Sequence, residues 1–384
     1  MNDQQRFAEL DAVLSRVVEE SGAPAAQYAL GLNGEIVHAG TVGAADAASR
    51  FCIFSASKPV FASLILHLAS TGQLELSTRV AKLWPEFGTG GKAEVTIEHL
   101  LLFTAGFPSY WPSTRIATDP ELLAIDLAAA PSESTPGTAY AYHPVSAHWA
   151  LAEVVRRATG VDHRDALQQM ILAPLGLDRM RLGVPPEEQE DIQPVSLVGE
   201  YDLAFAAAIL GQMFTDEELD ALNAPVLEIA GDPALIHAGV PGGGIISDAS
   251  SLALFYQALL HGTGSLWSEE ILHSATSVAR NVLTDDGRGG APANRTIGCL
   301  TLAGAEVPYA DFPTLGIRHP VRHHGTLTSA RTFGHPGFGG QLGFADPDAG
   351  YSFAFLISGA ERDGLAGARR DREIADAVAR VFRT

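Results

Sequence analysis

The chain is poor in positive charge, in lysine above all, in cysteine and in long apolar runs. Its 25 Lys and Arg residues face 45 Asp and Glu, a formal net charge of −20. That balance argues against nucleic acid and anionic membrane surfaces as partners. The two cysteines, Cys52 and Cys299, are far apart and no Cys-x-x-Cys occurs, so there is no disulfide framework. Cys52 sits in an apolar run and reads as a small core residue. No apolar run reaches the length of a membrane span. The start, Met1-Asn2-Asp3-Gln4-Gln5-Arg6, lacks the basic and apolar regions of a signal peptide. The expectation is a soluble, cytoplasmic protein in a reducing compartment. No nucleotide-binding glycine pattern follows a strand, and no His-Glu-x-x-His is present. His319, His323 and His324 cluster, but Pro320 interrupts them, so they read as a polar loop. Neither a metal nor a cofactor is expected.

What is present is a globular composition, 46% hydrophobic and 18% charged over 384 residues, enough for one large or two ordinary domains. Phe7, Leu10, Val13, Leu14, Val17 and Val18 recur at helical spacing. Gln27–Leu32 and Glu35–Ala39 flank Asn33-Gly34, a strong hairpin signal. From about Leu76 helical patterns dominate: residues 96–103, 121–129, 148–158, 164–175, 203–214, 250–260 and 269–277. Pro241-Gly242-Gly243-Gly244 lies among them, either a plain loop or a close approach of backbone. Strand signals return at residues 331–337, 341–345 and 351–357, and Ile374, Ala377, Val378, Val381 and Phe382 mark a last helix. Neither end supplies enough strands for a covered sheet alone. The economical fold is α+β: an antiparallel sheet built from both ends and flanked by the terminal helices, with a mostly helical domain inserted. The expected division is residues 1–75 with 290–384 as one domain and 76–289 as the other. A small-molecule site is expected in the cleft between them.

One stretch stands at that join. Phe51 to Phe54 reads as a buried strand end, Ser55 as a helix N-cap, and Pro59 as a first-turn residue. Ser55 and Lys58 then share one helix face. A serine hydroxyl becomes a nucleophile when a base takes its proton, and a buried lysine can be that base. Taken alone, Ser-x-x-Lys is weak, because Ser55 could be only a cap and Lys58 a solvated residue. The chain has three lysines, Lys58, Lys82 and Lys92, against far more arginines, so a lysine one turn after a serine is notable.

Ser55-x-x-Lys58, then Tyr140-Ala141-Tyr142-His143-Pro144, then His335-Pro336-Gly337 resemble, in that order, the serine β-lactamase and penicillin-binding-protein superfamily. The branch it looks most like holds class C β-lactamases, D-amino-acid peptidases and family VIII carboxylesterases. Thr96–Leu101 with Thr104-Ala105-Gly106, Pro136-Gly137-Thr138 and the Gly242–Gly244 run resemble the family's connecting stretches. The likeness spans nearly the whole chain. It implies a β-lactamase-like fold, Ser55 as nucleophile, Lys58 as its base, and Tyr142 as a proton shuttle. It implies that His335 and Gly337 help position Tyr142 and the substrate. The backbone N–H groups of Ser55 and Phe338 would then hold the oxyanion. Tyr110 and Trp111 suggest an aromatic substrate-binding surface. The family's Tyr-x-Asn is here Tyr142-x-Pro144, and proline offers no amide to a substrate. This favours esters over lactams and peptides, with His143 or His148 as partial replacements. His335 in place of the family's lysine points the same way. The expected activity is hydrolysis of small carboxylic esters through an acyl-enzyme on Ser55. The alternatives are a β-lactamase or D-amino-acid peptidase, and a penicillin-binding or sensor module without turnover. The expected partner is a small ester or amide substrate; the oligomeric state is not legible.

Overall fold

The computed structural model describes residues 3–383. The Asn33-Gly34 turn forms as the sequence predicts, with φ of 54° and 82° at its two centres, the left-handed pair that a two-residue hairpin needs. It joins strands Ala25–Leu32 and Glu35–Gly43. These enter one six-stranded sheet whose spatial order is Glu35–Gly43, Ala25–Leu32, Tyr351–Ile357, Leu342–Asp346, Phe333–Gly334 and Thr301–Leu302. Every neighbouring pair is antiparallel. The central pairing joins the two ends of the chain, with Tyr28 opposite Phe355 and Leu30 opposite Phe353.

Both faces of these central strands are buried. Ala26, Tyr28 and Leu30 with Phe353, Phe355 and Ile357 face Leu10, Leu14 and Val17 of the Asp3–Ser21 helix and Ile374 and Val378 of the Gly364–Phe382 helix. Ala25, Ala29, Ala354 and Leu356 face the other way, into the larger core. The alternation is the period of two that a strand imposes. The Ala249–His261 helix, within the segment expected to be helical domain, packs on this second face. Ser352 Oγ donates to the Ala253 carbonyl at 2.7 Å, and Gln257 Nε2 donates to the Gly31 carbonyl at 3.1 Å. At Gly343 a Cβ would lie 2.6 Å from the Tyr256 ring, so the strand meets the helix where only glycine fits.

The rest of the larger core is helical and packs around the Ser57–Ser70 and Ser146–Thr159 helices. Between residues 203 and 238 the expectation of one helix over 203–214 gives way to three: Leu203–Leu210, Asp216–Gly231 and Pro233–Ala238. Gly211 ends the first at φ 76°, a left-handed stop. A Thr215–Glu218 capping box then starts the second. Among the described residues, no helix is long and apolar enough to cross a membrane.

Candidate active site

The Ser55 segment differs from its expected form. The strand is only Phe51–Cys52, paired with Ile246–Ser247. Phe54 then turns at φ +43°, a left-handed conformation rare for a bulky side chain. A short 3-10 turn covers Phe54–Ala56, and the helix begins at Ser57. Ser55 is therefore not a helix N-cap; it lies on the turn before the helix. The turn brings Ser55 to a partly accessible position while Phe54 and Ala56 stay buried. Pro59 is the third helical residue, where no intrahelical hydrogen bond is lost.

Lys58 is fully buried. Its Nζ lies 3.1 Å from Ser55 Oγ, 2.7 Å from the Pro144 carbonyl and 2.7 Å from the Gly242 carbonyl. A neutral amine has two N–H groups and one lone pair. The two carbonyls take the N–H groups, and the lone pair is left for the Ser55 hydroxyl. Burial pulls the Lys58 pKa down to about 7; the Cys299 thiol opposes this shift and the Arg295 charge adds to it. The Gly242–Gly244 run is a close approach: a Cβ on Gly242 would lie 3.0 Å from His148 Cβ. Pro144 supplies through its backbone one of the contacts that hold Lys58.

Burial raises the Tyr142 pKa to about 12; the Arg295 charge and a hydrogen bond with Ser55 oppose this. Lys58 Nζ sits 5.0 Å from the Tyr142 ring centre. At neutral pH, then, Lys58 is close to half deprotonated and Tyr142 is a phenol.

The strand that carries His335 closes the opposite wall. The His335 N–H is shared between the Gly343 carbonyl at 3.0 Å and the Tyr256 hydroxyl at 3.1 Å. His335 Nδ1 meets the Pro336 carbonyl at 2.6 Å, which places its proton there and leaves Nε2 as an acceptor. That Nε2 is buried and has no partner among the described residues. Burial is the largest cause holding the imidazole pKa well below its ordinary value, so the ring is neutral. A Cβ on Gly337 would lie 2.3 Å from the Ile53 carbonyl oxygen. This contact sets the backbone of 337–338 against the turn that carries Ser55, and Phe338 packs edge-on to Phe54 with ring centres 5.4 Å apart.

These walls enclose a cavity of about 510 Å³ lined by Ser55, Tyr142, His335, Gly337, Phe338 and Trp111, among others. Tyr110 does not line it. Its side chain lies against the core, and burial and then the Asp126 carboxylate raise its pKa. His143 and His148 do not line it either. His143 Nε2 accepts from the Phe107 N–H at 3.2 Å, and His148 is buried beside the Lys58 backbone. His323 is not simply a polar loop residue: it lines the cavity and accepts from Arg288 Nη1. Among the described residues no group of three His, Cys, Asp or Glu is placed to hold a metal ion.

Sequence reasoning missed Arg288 and Arg295, which line the cavity, and Val226 and Ile229, which line it from the Asp216–Gly231 helix. The nearest signal was an arginine inside an otherwise uncharged stretch, Ala291 to Leu302. A second cavity of about 310 Å³ lies between helices, lined by Trp84 and Trp149. Its charged rim is internally paired, Arg156 with Glu153 and Arg164 with Asp162.

Comparison with known proteins places the chain in a family. The family model described as Beta-lactamase matches residues 10–376. The esterase/beta-lactamase LipL of Mycobacterium tuberculosis is 28% identical over 317 residues, covering 79% of this chain and 68% of LipL. The structure of EstA from Arthrobacter nitroguajacolicus Rue61a superposes with a TM-score of 0.76 at 25% identity, covering 98% of this chain and 96% of EstA. A family VIII carboxylesterase gives a TM-score of 0.74 at 25% identity over 96% of both chains. With a matched segment that takes in the Ser55 turn, the Tyr142 loop and the His335 strand, this chain belongs to the Beta-lactamase family.

Proposed function

We propose that the protein is a serine hydrolase of small carboxylic esters that works through an acyl-enzyme on Ser55. The observation that carries this reading is the buried Lys58 amine, 3.1 Å from Ser55 Oγ and held by two backbone carbonyls. Ser55 Oγ attacks the ester carbonyl and its proton passes to Lys58. The C=O electron pair moves onto oxygen, where the N–H groups of Ser55 and Phe338 stabilise it. As the intermediate collapses, the C–O bond to the alcohol breaks. The proton returns through Tyr142 to the leaving alkoxide. Water then attacks the acyl-enzyme by the same route reversed, and the acid leaves. His335 Nε2, an acceptor facing the cavity, orients the Tyr142 hydroxyl or a substrate donor. Trp111 supplies apolar contact for the substrate. The esterase names of LipL and EstA support the ester preference. Cys52 and Cys299 are free and buried, which supports a cytoplasmic setting within this proposal.

A β-lactamase reading comes second. Backbone carbonyls hold Lys58 without a side-chain amide at position 144, so acylation does not need the missing asparagine. That amide's contact with a substrate acylamide stays missing. The test is turnover of p-nitrophenyl acetate, p-nitrophenyl butyrate and nitrocefin by wild type and Ser55→Ala. Ester turnover that vanishes in the variant is expected. Nitrocefin turnover above that of the esters would reverse the order of the two readings. A stoichiometric burst with no turnover would make the protein a penicillin-binding or sensor module. Equal activity in both proteins would remove Ser55 from the mechanism.

A further inference from the structure

Proton transfer from Ser55 needs Lys58 in its amine form and a Tyr142 phenol that can give up its proton. A fixed positive charge nearby favours both. Most groups around the pair cannot supply one. Lys58 must itself be uncharged. His335 is buried with its single proton directed at the Pro336 carbonyl. His143 and His148 are buried and held below their ordinary pKa, first by burial. Tyr140 and Cys299 are neutral acids with raised pKa.

Arg295 is different in kind. A guanidinium does not lose its proton in a protein. The side chain is 6% exposed, yet it lines the cavity. Its guanidinium carbon lies 5.5 Å from the Tyr142 ring centre and 5.1 Å from that of Phe103. At these distances the cation lies over the faces of both rings. Nε donates to the Tyr140 hydroxyl at 3.3 Å and Nη1 to the Cys299 carbonyl at 3.4 Å. Both are long bonds to neutral acceptors, which hold the group without cancelling its charge.

We propose that Arg295 is a positioning residue for the proton transfer: set over the Tyr142 ring, its fixed charge keeps Lys58 as the free amine and eases release of the Tyr142 proton. The inference rests on the Ser55–Lys58–Tyr142 reading above. The titratable and charged groups around Arg295 are Lys58, Tyr140, Tyr142, His148, Cys299, Asp285, Arg288, His323, His324 and His335. Asp285 is the carboxylate among them, and it acts on Arg288 and Tyr140. Arg288, the second cation of the wall, donates to His323 Nε2, so its charge is directed away from Lys58. Lys58 feels Arg295 directly, as do Tyr142 and His335.

The test compares wild type with Arg295→Met, Arg295→Gln and Arg295→Lys between pH 5.5 and 9.5. Two rates are followed: phosphonylation of Ser55 by a fluorophosphonate, read by intact mass, and kcat/KM for p-nitrophenyl butyrate. Thermal unfolding checks that each variant is folded. The wild-type rates should rise with pH through about 7. Loss of a unit charge at this range should move that rise upward by about one pH unit in the Met and Gln variants. Lysine restores the charge only while it stays protonated in this buried place, so its rise should lie between those of wild type and Met. The proposal fails if a folded Met or Gln variant keeps the wild-type midpoint. If one neutral variant does not fold, the other decides. Labelling of Ser55 without ester turnover would refute the ester reading, and the labelling midpoints would still decide the role of Arg295. No labelling of wild-type Ser55 would overturn both.

Discussion

A methyl group added at Gly337 should disable the enzyme without unfolding it. The backbone there has φ −108° and ψ 162°, which alanine adopts freely, so the substitution brings no conformational strain. What it brings is a contact. The new Cβ would lie 2.3 Å from the Ile53 carbonyl oxygen and 2.8 Å from Gln341 Cβ. The first is a backbone atom and cannot swing aside. A tolerable carbon–oxygen contact is about 3.3 Å, so the two segments must part by about 1 Å. One segment carries Ser55 and the other the Phe338 N–H, the two proposed oxyanion donors. A displacement of that size costs roughly 100-fold in rate, and loss of one oxyanion donor about 100- to 1,000-fold. Overpacking costs about 1–3 kcal/mol of stability. The assay is kcat and KM for p-nitrophenyl butyrate together with Tm, for Gly337→Ala and for Gly364→Ala. A Cβ at Gly364 would meet nothing within 4 Å. The expected result for Gly337→Ala is a kcat lowered about 100-fold or more with a KM near wild type and a Tm a few degrees lower. Gly364→Ala should keep its kcat and gain about 0.4–1 kcal/mol. A Gly337→Ala enzyme with kcat within about threefold of wild type, about 0.65 kcal/mol, would refute the placement of the oxyanion site between Ser55 and Phe338.

Other outcomes follow from the same geometry. Tyr142→Phe should lower kcat by about 100- to 10,000-fold with an unchanged Tm, which steady-state kinetics and calorimetry check together. Lys58 titrates near 7 in the folded protein and 10.5 is its ordinary value, so the unfolded chain binds more protons between those limits and stability rises with pH across them. Relative to Lys58→Met, wild type should gain on the order of 4 kcal/mol between pH 7 and 10, measured by denaturant titration; a constant difference would mean that Lys58 is not held as an amine. Asp376 accepts from the Thr326 N–H and hydroxyl and from the Leu327 N–H. Asp376→Ala should therefore cost about 2–4 kcal/mol with little change in kcat, as Tm and steady-state rates would register.

The residues proposed to do chemistry were legible because they sit in short ordered motifs. Ser55, Tyr142, His335, Gly337 and Phe338 line one cavity, and Lys58 lies buried behind Ser55. The sheet was legible from alternation and from Asn33-Gly34. The form of the Ser55 turn was not, because the positive φ of Phe54 is imposed by the packing of both flanking segments and has no glycine or asparagine to announce it. Arg288, Arg295 and His323 were missed because residues 278–332 fold into strands of two to four residues, too short for any period to register. Tyr110 and Trp111 are neighbours in sequence, yet Trp111 lines the cavity and Tyr110 packs against the core. Adjacent side chains in irregular backbone diverge, and composition cannot say which one a cavity receives.

The pairing of Ala25–Leu32 with Tyr351–Ile357 has a consequence for how the protein is made. During synthesis the first hairpin leaves the ribosome with one edge unpaired, and its partner strand follows only after the whole intervening chain. A sheet closed by such a distant contact forms slowly and late. The Ser55 turn emerges early, but His335, which completes its cavity, follows a strand that is itself late and joins that partner only through Leu342–Asp346. A nascent chain should therefore carry the proposed nucleophile through all of that intervening synthesis without a working site around it, its open strand edge the segment most in need of a chaperone.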